Sequence, residues 1–210
     1  MTTLLVIAKQ PLPGRVKTRL TPPFAPAEAA CLAEAALADT LDVALRLPAD
    51  RHVLVLDGEP GPWLPPGFAV VPQVPGGLDV RLAAAFAGCR GPALLIGMDT
   101  PQVTPALLAP ALCWDVHDAW FGAAADGGFW ALGLVSPDPA LLLGVPMSRP
   151  DTGSFQYARL LAAGLRTGAL SVLRDVDTAE DARQVAAEAP GTRFAAVHAA
   201  LTSTVAGAGR

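Results

Sequence analysis

The stretch that most constrains this chain is residues 4–20, LLVIAKQPLPGRVKTRL. Its five apolar residues, Leu4 to Ala8, have the length and composition of a buried strand rather than of a helix. Pro11 and Pro13 then remove two backbone donors, and Gly14 admits conformations closed to other residues, so a loop must follow the strand directly. That loop carries Lys9, Arg15, Lys17 and Arg19. In open α/β sheets ligands bind beyond the carboxyl ends of the strands, so four cations there make a site for a small, strongly anionic ligand. Of the 15 basic residues in the chain only Lys9 and Lys17 are lysine, and both fall in this loop. An ammonium is not interchangeable with a guanidinium, so a compact charge is selected at this place. Lys17 is expected on the loop surface, where its replacement leaves folding nearly intact.

The rest of the chain supplies the elements of an α/β domain. Pro26 suits the first turn of a helix running to about residue 47, with Leu32, Ala36, Leu37, Thr40, Leu41 and Ala44 spaced to pack on a sheet. Short apolar strands are expected at 53–56, 69–71 and 93–97, and helices at 78–87 and 104–114. Strand, helix and strand in this order predict a parallel, right-handed unit. Trp63, in the Pro/Gly-rich connection, reads as a lid over the core. Residues 119–124 and 129–135 flank Asp126-Gly127-Gly128, a turn suited to a hairpin or a strand-to-strand loop. A short helix at 138–143, a polar loop at 148–153, a helix at 155–163 and a last strand at 169–173 follow. Thr178 and Asp181 form a capping box for a helix at 179–189. One domain over 1–203 is expected, with a frayed tail at 204–210.

Composition narrows the function classes. A net charge of −4 argues against a broad nucleic-acid surface, and no apolar run is long enough to span a bilayer. The first apolar run is too short for a signal-peptide core, and Cys31, Cys89 and Cys113 are odd in number and far apart. A cytoplasmic protein without a disulfide frame is expected. No P-loop, Gly-x-Gly-x-x-Gly or Gly-x-Ser-x-Gly occurs, and His52, His117 and His198 fall in separate elements as expected surface residues.

Acidic residues complement the basic loop. Met98-Asp99-Thr100-Pro101 ends the strand at 93–97, which places Asp99 on the same sheet edge as the cations. Asp126 sits at an exposed turn, where a plain turn role competes with a functional one. Asp175 and Asp177 precede the capping box.

Together AKQPLPGRVKTRLTP, IGMDTP, ADGGFWALGL and RDVDTAED resemble the DUF2064 family, also called selenodomain-associated transferase 1. That family is similar to 2-phospho-lactate guanylyltransferase and molybdenum cofactor guanylyltransferase. The resemblance implies an α/β fold, a three-layer α/β/α sandwich whose mostly parallel, Rossmann-like sheet is of the nucleotide-diphospho-sugar transferase (GT-A-like) type. It also implies transfer of a nucleotidyl group from a nucleoside triphosphate to a small phosphorylated or hydroxyl acceptor, with release of pyrophosphate and with Mg²⁺ or Mn²⁺ as cofactor. Lys17 and Arg19 are then catalytic, and Ala8, Lys9, Gly14, Arg15 and Lys17 bind the nucleotide. Asp99 and Asp126 hold the metal, with Asp175 and Asp177 behind them. A glycosyltransferase using a nucleotide sugar and an Asp-x-Asp metal pair is the first alternative, but the sole such triplet, Asp175-Val176-Asp177, stands late in the chain. A non-catalytic nucleotide-binding protein is the second. Met98 replaces a smaller residue, which changes little, whereas Met147-Ser148-Arg149-Pro150 in place of Trp-Ser-Thr-Pro leaves the acceptor open; the base and the question of a homodimer are open too.

Overall fold

The computed structural model describes the backbone of residues 1–207 and side chains through residue 203. Its centre is β1 (Thr3–Lys9), buried from Thr3 to Val6. In parallel with it run β2 (Arg51–Asp57) on one side and β4 (Ala93–Gly97) on the other. Covering both faces of these strands explains why they read as continuous apolar runs instead of alternating ones. β3 (Phe68–Pro72) adds in parallel to β2 at the edge. β5 (Ala119–Ala123) and β6 (Phe129–Leu134) form the hairpin, with β6 antiparallel to β4, and β7 (Thr167–Ala169) lies parallel to β5. The sheet order is β3-β2-β1-β4-β6-β5-β7, mostly parallel as expected.

Helices cover both faces. On one, Leu4, Val6, Leu94 and Ile96 pack with Ala30, Ala33, Leu37 and Leu41 of α1 (Pro26–Leu45). On the other, Leu5, Val53 and Leu95 pack with Phe86 of α2 (Leu78–Ala87) and Leu160 of α4 (Thr152–Ala162), α3 being the short Pro105–Leu108. A third core lies behind α1, where Leu32 and Ala36 meet Val185 of α5 (Ala179–Glu188) and Phe194 of α6 (Arg193–Gly207). α1 is therefore buried on two sides, which accounts for its many alanines, since small side chains allow close approach of neighbours.

Several sequence expectations are corrected. The helix expected over 104–114 stops at Leu108 and continues as a 3-10 turn, Ala109–Leu112, because Pro110 lacks an amide donor and its ring crowds the preceding turn. The strand expected at 169–173 ends at Ala169, and beyond it only Leu173 makes a bridge, to Ala124. The helix expected at 138–143 is a 3-10 turn, Pro139–Leu141, started by Asp138 accepting from the Ala140 amide at 2.9 Å. α6 was not foreseen; of the tail expected to fray, 204–207 form its last turn and 208–210 lie outside the described residues. The three histidines are half-buried: His52 packs edge-on to Phe68, His117 against Trp120 and His198 against Phe24. Trp63 packs on the first core as expected. No helix among the described residues is long and apolar enough to cross a membrane.

Besides the third core, α6 is tied to α1 by two acids, Asp42, which pairs with Arg193 at 2.6 Å, and the buried Asp39. Asp39 accepts from the Arg193 and Phe194 amides at 3.1 and 2.9 Å, capping the first turn of α6, and pairs with the Arg193 guanidinium at 3.3 Å. Asp39→Ala is expected to destabilise the protein by about 1 to 2 kcal/mol, the range for a lost cap, read as a lower urea midpoint at unchanged slope.

Candidate functional site

The carboxyl ends of β1, β2 and β4 share one edge of the sheet, with Lys9 in register with Asp57. Beyond β1 the loop turns at Gly14, whose φ of +73° is open to glycine, and is pinned by Val16 and Leu20, both buried. Between these anchors Lys17 adopts φ 47° and ψ 40°, a left-handed conformation unusual for a residue with a side chain. Its side chain, expected at the surface, is only 9% exposed and ends 2.9 Å from both Asp99 Oδ2 and Asp177 Oδ1. Burial alone would lower the Lys17 pKa, but Asp99 and then Asp177 outweigh it and hold the ammonium above its ordinary value.

The other loop residues spread around this point. Arg19 reaches Asp177 at 3.4 Å while staying 76% exposed. Lys9 and Arg15 line, with Gln10, Asp57 and Gly58, a cleft of about 340 Å³ counting its open mouth. Ala8 is buried under the loop, and its carbonyl accepts from Gln73 Nε2 at 2.8 Å. Met98 fills the core beneath, its sulfur 3.2 Å from the Lys9 amide.

Asp99 lies two residues beyond the end of β4, and the segment carrying the late Asp-x-Asp triplet is stitched to it. The Val176 amide donates to the Asp99 carbonyl at 2.9 Å, and Gln102 Nε2 donates to the Arg174 carbonyl at 2.7 Å. Val176 is buried in the third core with Leu20, so it anchors the segment while its neighbours Asp175 and Asp177 meet the site. Asp99 Oδ1 and Asp175 Oδ1 are buried without a hydrogen-bond partner among the described residues. Burial, reinforced by Asp99, Asp126 and Asp177, pushes the Asp175 pKa up to about 7, with Lys17 opposing.

Asp126 stands at the hairpin tip on the same edge, exposed, with Oδ1 accepting from the Gly128 amide at 2.8 Å. That is an Asx turn, the structural role weighed from the sequence, and its charge is felt at Asp175. The tip packs against the polar loop: a side chain at Gly127 would run into the Pro150 carbonyl, and the Gly153 amide donates to Gly127 at 2.8 Å. In that loop Arg149 grips Asp151 through two bonds of 2.9 Å. Among the described residues no three His, Cys, Asp or Glu side chains are grouped so that, as they stand, they could hold a metal ion. The charge between Asp99 and Asp177 is the Lys17 ammonium.

Sequence reasoning ranked Asp175 and Asp177 behind Asp126, whereas the structure puts Asp177 on Lys17 and Asp175 beside Asp99. The available signal was the Asp-x-Asp spacing itself.

A raised carboxyl pKa favours the protonated native state, so its stabilising effect is complete below the ordinary value near 3.8 and is lost as pH rises through about 7. The ligand-free protein is expected to lose about 1 to 2 kcal/mol of stability between roughly pH 5.5 and 7.5 from this group. Asp175→Asn should flatten that stretch of the stability–pH curve; an unchanged slope would show that Asp175 titrates normally.

The fold that carries this site is shared with known transferases. A putative nucleotide-diphospho-sugar transferase from Desulfovibrio desulfuricans G20 superposes with a TM-score of 0.84 at 26% identity, covering 98% of this chain and 95% of that one. A CMP:2-keto-3-deoxy-manno-octonic acid synthetase complexed with CTP shares the fold alone, with a TM-score of 0.54 at 13% identity over 88% of this chain and 96% of that one. A phosphoenolpyruvate guanylyltransferase from Thermomonospora curvata is 36% identical over 99% of this chain and 93% of its own length. The molecule is a transferase of the nucleotidyltransferase class, built on the nucleotide-diphospho-sugar transferase fold. Within that class it belongs to DUF2064, described as an uncharacterized protein conserved in bacteria, whose profile matches residues 31–149.

Proposed function

We propose that this protein transfers a guanylyl group from GTP to a small phosphorylated carboxylic acid, of which phosphoenolpyruvate is the first candidate, in the cytoplasm. The observation that carries the proposal is the convergence of Lys17 with Asp99 and Asp177, a buried ammonium and acids together at the sheet edge where ligands bind. The choice of base and acceptor follows the guanylyltransferase relative.

In such a transfer an acceptor phosphate oxygen forms a bond to the α-phosphorus, the bond from that phosphorus to the β-bridging oxygen breaks, and pyrophosphate leaves. The protein's share is positioning and charge neutralisation rather than covalent chemistry. Lys17 neutralises charge developing at the α-phosphate, while Arg15, Arg19 and Lys9 draw the triphosphate into the cleft and amides near Gly14 approach its oxygens. Hard carboxylate donors with two unpartnered buried oxygens fit a divalent ion, which Asp99, Asp175 and Asp177 would hold, with Asp126 at the rim. Bound there, Mg²⁺ or Mn²⁺ would neutralise the triphosphate and polarise its phosphoryl oxygens.

The late Asp-x-Asp triplet does reach the site, so a nucleotide-sugar donor is the second reading. A thermal-shift screen of the four nucleoside triphosphates and their sugar conjugates, with Mg²⁺, separates the two. GTP at 100 times its dissociation constant is expected to stabilise the fold by about 2.7 kcal/mol. Stabilisation by a nucleotide sugar but by no triphosphate would overturn the nucleotidyl-donor reading. Pyrophosphate release that requires phosphoenolpyruvate would identify the acceptor, and release with another phosphorylated acid alone would replace it.

A further inference from the structure

The place a divalent ion would take already holds a positive charge that belongs to the chain. Lys17 Nζ lies 2.9 Å from one oxygen of Asp99 and 2.9 Å from one of Asp177, with the side chain nearly withdrawn from water. The backbone helps to deliver it, since Lys17 takes a left-handed conformation between the buried anchors Val16 and Leu20. One ammonium does not balance these acids. Asp99 Oδ1 and Asp175 Oδ1 remain buried and unpartnered among the described residues. A monovalent donor thus sits among hard oxygen ligands and leaves two of them unanswered, the setting in which a better-matched cation can replace it.

We propose that Lys17 is an exchangeable internal counter-ion: its ammonium holds Asp99 and Asp177 together in the ligand-free protein and is displaced onto the triphosphate when a divalent metal enters with the nucleotide. The proposal rests on Asp99, Asp175 and Asp177 being the metal ligands. Metal alone must compete with a tethered ammonium present at high effective concentration, so it binds weakly. A triphosphate offers that ammonium another anion and frees the carboxylates, so nucleotide and metal strengthen one another's binding by the same factor. Lys17 then acts on the metal without touching it, and sets how strongly metal and nucleotide favour one another. A permanent structural ion pair makes the opposite demand: without Lys17 the carboxylates lose their organiser, and metal binds no better than before.

The test measures Mn²⁺ binding by the loss of its free-ion electron paramagnetic resonance signal, with and without a non-hydrolysable GTP analogue. Wild type, Lys17→Gln, Lys17→Met and Asp99→Asn are compared. Lys17→Gln and Lys17→Met are expected to bind Mn²⁺ alone about tenfold more tightly than wild type. With the Mn²⁺ held by the analogue alone measured and subtracted, the analogue should tighten Mn²⁺ binding to wild type by about tenfold more than it does to the two Lys17 variants. Mn²⁺ should also raise their melting temperatures more than that of wild type. If either variant is unfolded in chelator, refolding on addition of Mn²⁺ supports the exchange, and failure to refold overturns it. Folded variants whose Mn²⁺ affinity equals or falls below that of wild type overturn the exchange but leave the metal ligands standing. Asp99→Asn that binds Mn²⁺ with nucleotide as well as wild type does would instead remove the metal reading beneath the proposal.

Discussion

Lys17→Ala is expected to lower kcat/KM for nucleotidyl transfer by about 100- to 1000-fold, the range seen when one preorganised group facing developing charge is removed. On the proposed role the effect should fall mainly on kcat, because a contact to the α-phosphate would strengthen as negative charge builds there. Unlike the loss of an exposed loop cation, this change should also cost stability. Lys17 is buried against two carboxylates, so removing it leaves Asp99 and Asp177 facing each other and Asp175. Both pairing acids keep 37% of their side-chain exposure, so water takes up part of the charge, and a loss of about 1 to 3 kcal/mol is expected, below that for a fully buried pair. Arg19→Ala is the contrast. At 76% exposure and 3.4 Å from Asp177 it should leave ligand-free stability within about 1 kcal/mol of wild type. Denaturant midpoints with steady-state kinetics check both variants. Wild-type turnover in a folded Lys17→Ala protein would end its assignment to the reaction.

What could be read from the sequence was whatever local chemistry dictates. β1, α2 and β4 lie where apolar runs and their terminators put them, since a buried parallel strand and a Pro/Gly stop are local events. The cationic loop and Asp99 reach the same sheet edge because parallel connections fix which ends of the strands align. What failed was non-local. Lys17 and Asp177 are 160 residues apart, and their segments are joined by tertiary contacts, the burial of Val176 with Leu20 and the ion pairs of Lys17 and Arg19 to Asp177. Lys17 therefore looked like a surface residue. The Asp-x-Asp triplet stands late in the chain and still meets Lys17 at the sheet edge, because position along the chain does not fix position in the fold. α6 escaped notice because its alanine-rich sequence carries no sharp apolar stripe, and its attachment comes from Asp39 on another helix. The overextended helix at 104–114 is a different failure: Pro110 was visible, and its missing amide should have ended the helix there.

Asp99→Asn is expected to separate metal binding from folding. Two roles compete for this carboxylate, a ligand for a divalent ion and a cap for the turn at Thr100-Pro101. Its geometry favours the first, because Oδ2 pairs with Lys17, and Oδ1 is buried with no partner among the described residues. The bonds of this segment that the backbone makes, from the Val176 amide to the Asp99 carbonyl and from the Val103 amide to the Thr100 carbonyl, do not involve the Asp99 side chain, so Asn preserves them. Asn also keeps the size and one acceptor oxygen. It withdraws the negative charge a hard divalent ion requires. Two effects on the ligand-free protein oppose each other: Lys17 loses one of its two anions, while crowding among Asp99, Asp175 and Asp177 is relieved. Stability without ligand should therefore stay within about 1 kcal/mol of wild type. Turnover should fall at least about 100-fold, more than the loss of a group that merely orients a metal ligand. Mg²⁺-dependent stabilisation by nucleotide should vanish, and the Asp175 carboxyl should titrate closer to its ordinary range because one of the charges raising it is gone. Ligand-free melting, melting with Mg²⁺ and GTP, and turnover on the same preparations decide the matter. A ligand-free Asp99→Asn protein that is markedly unstable yet binds the metal–nucleotide pair normally would make Asp99 a structural residue of the turn.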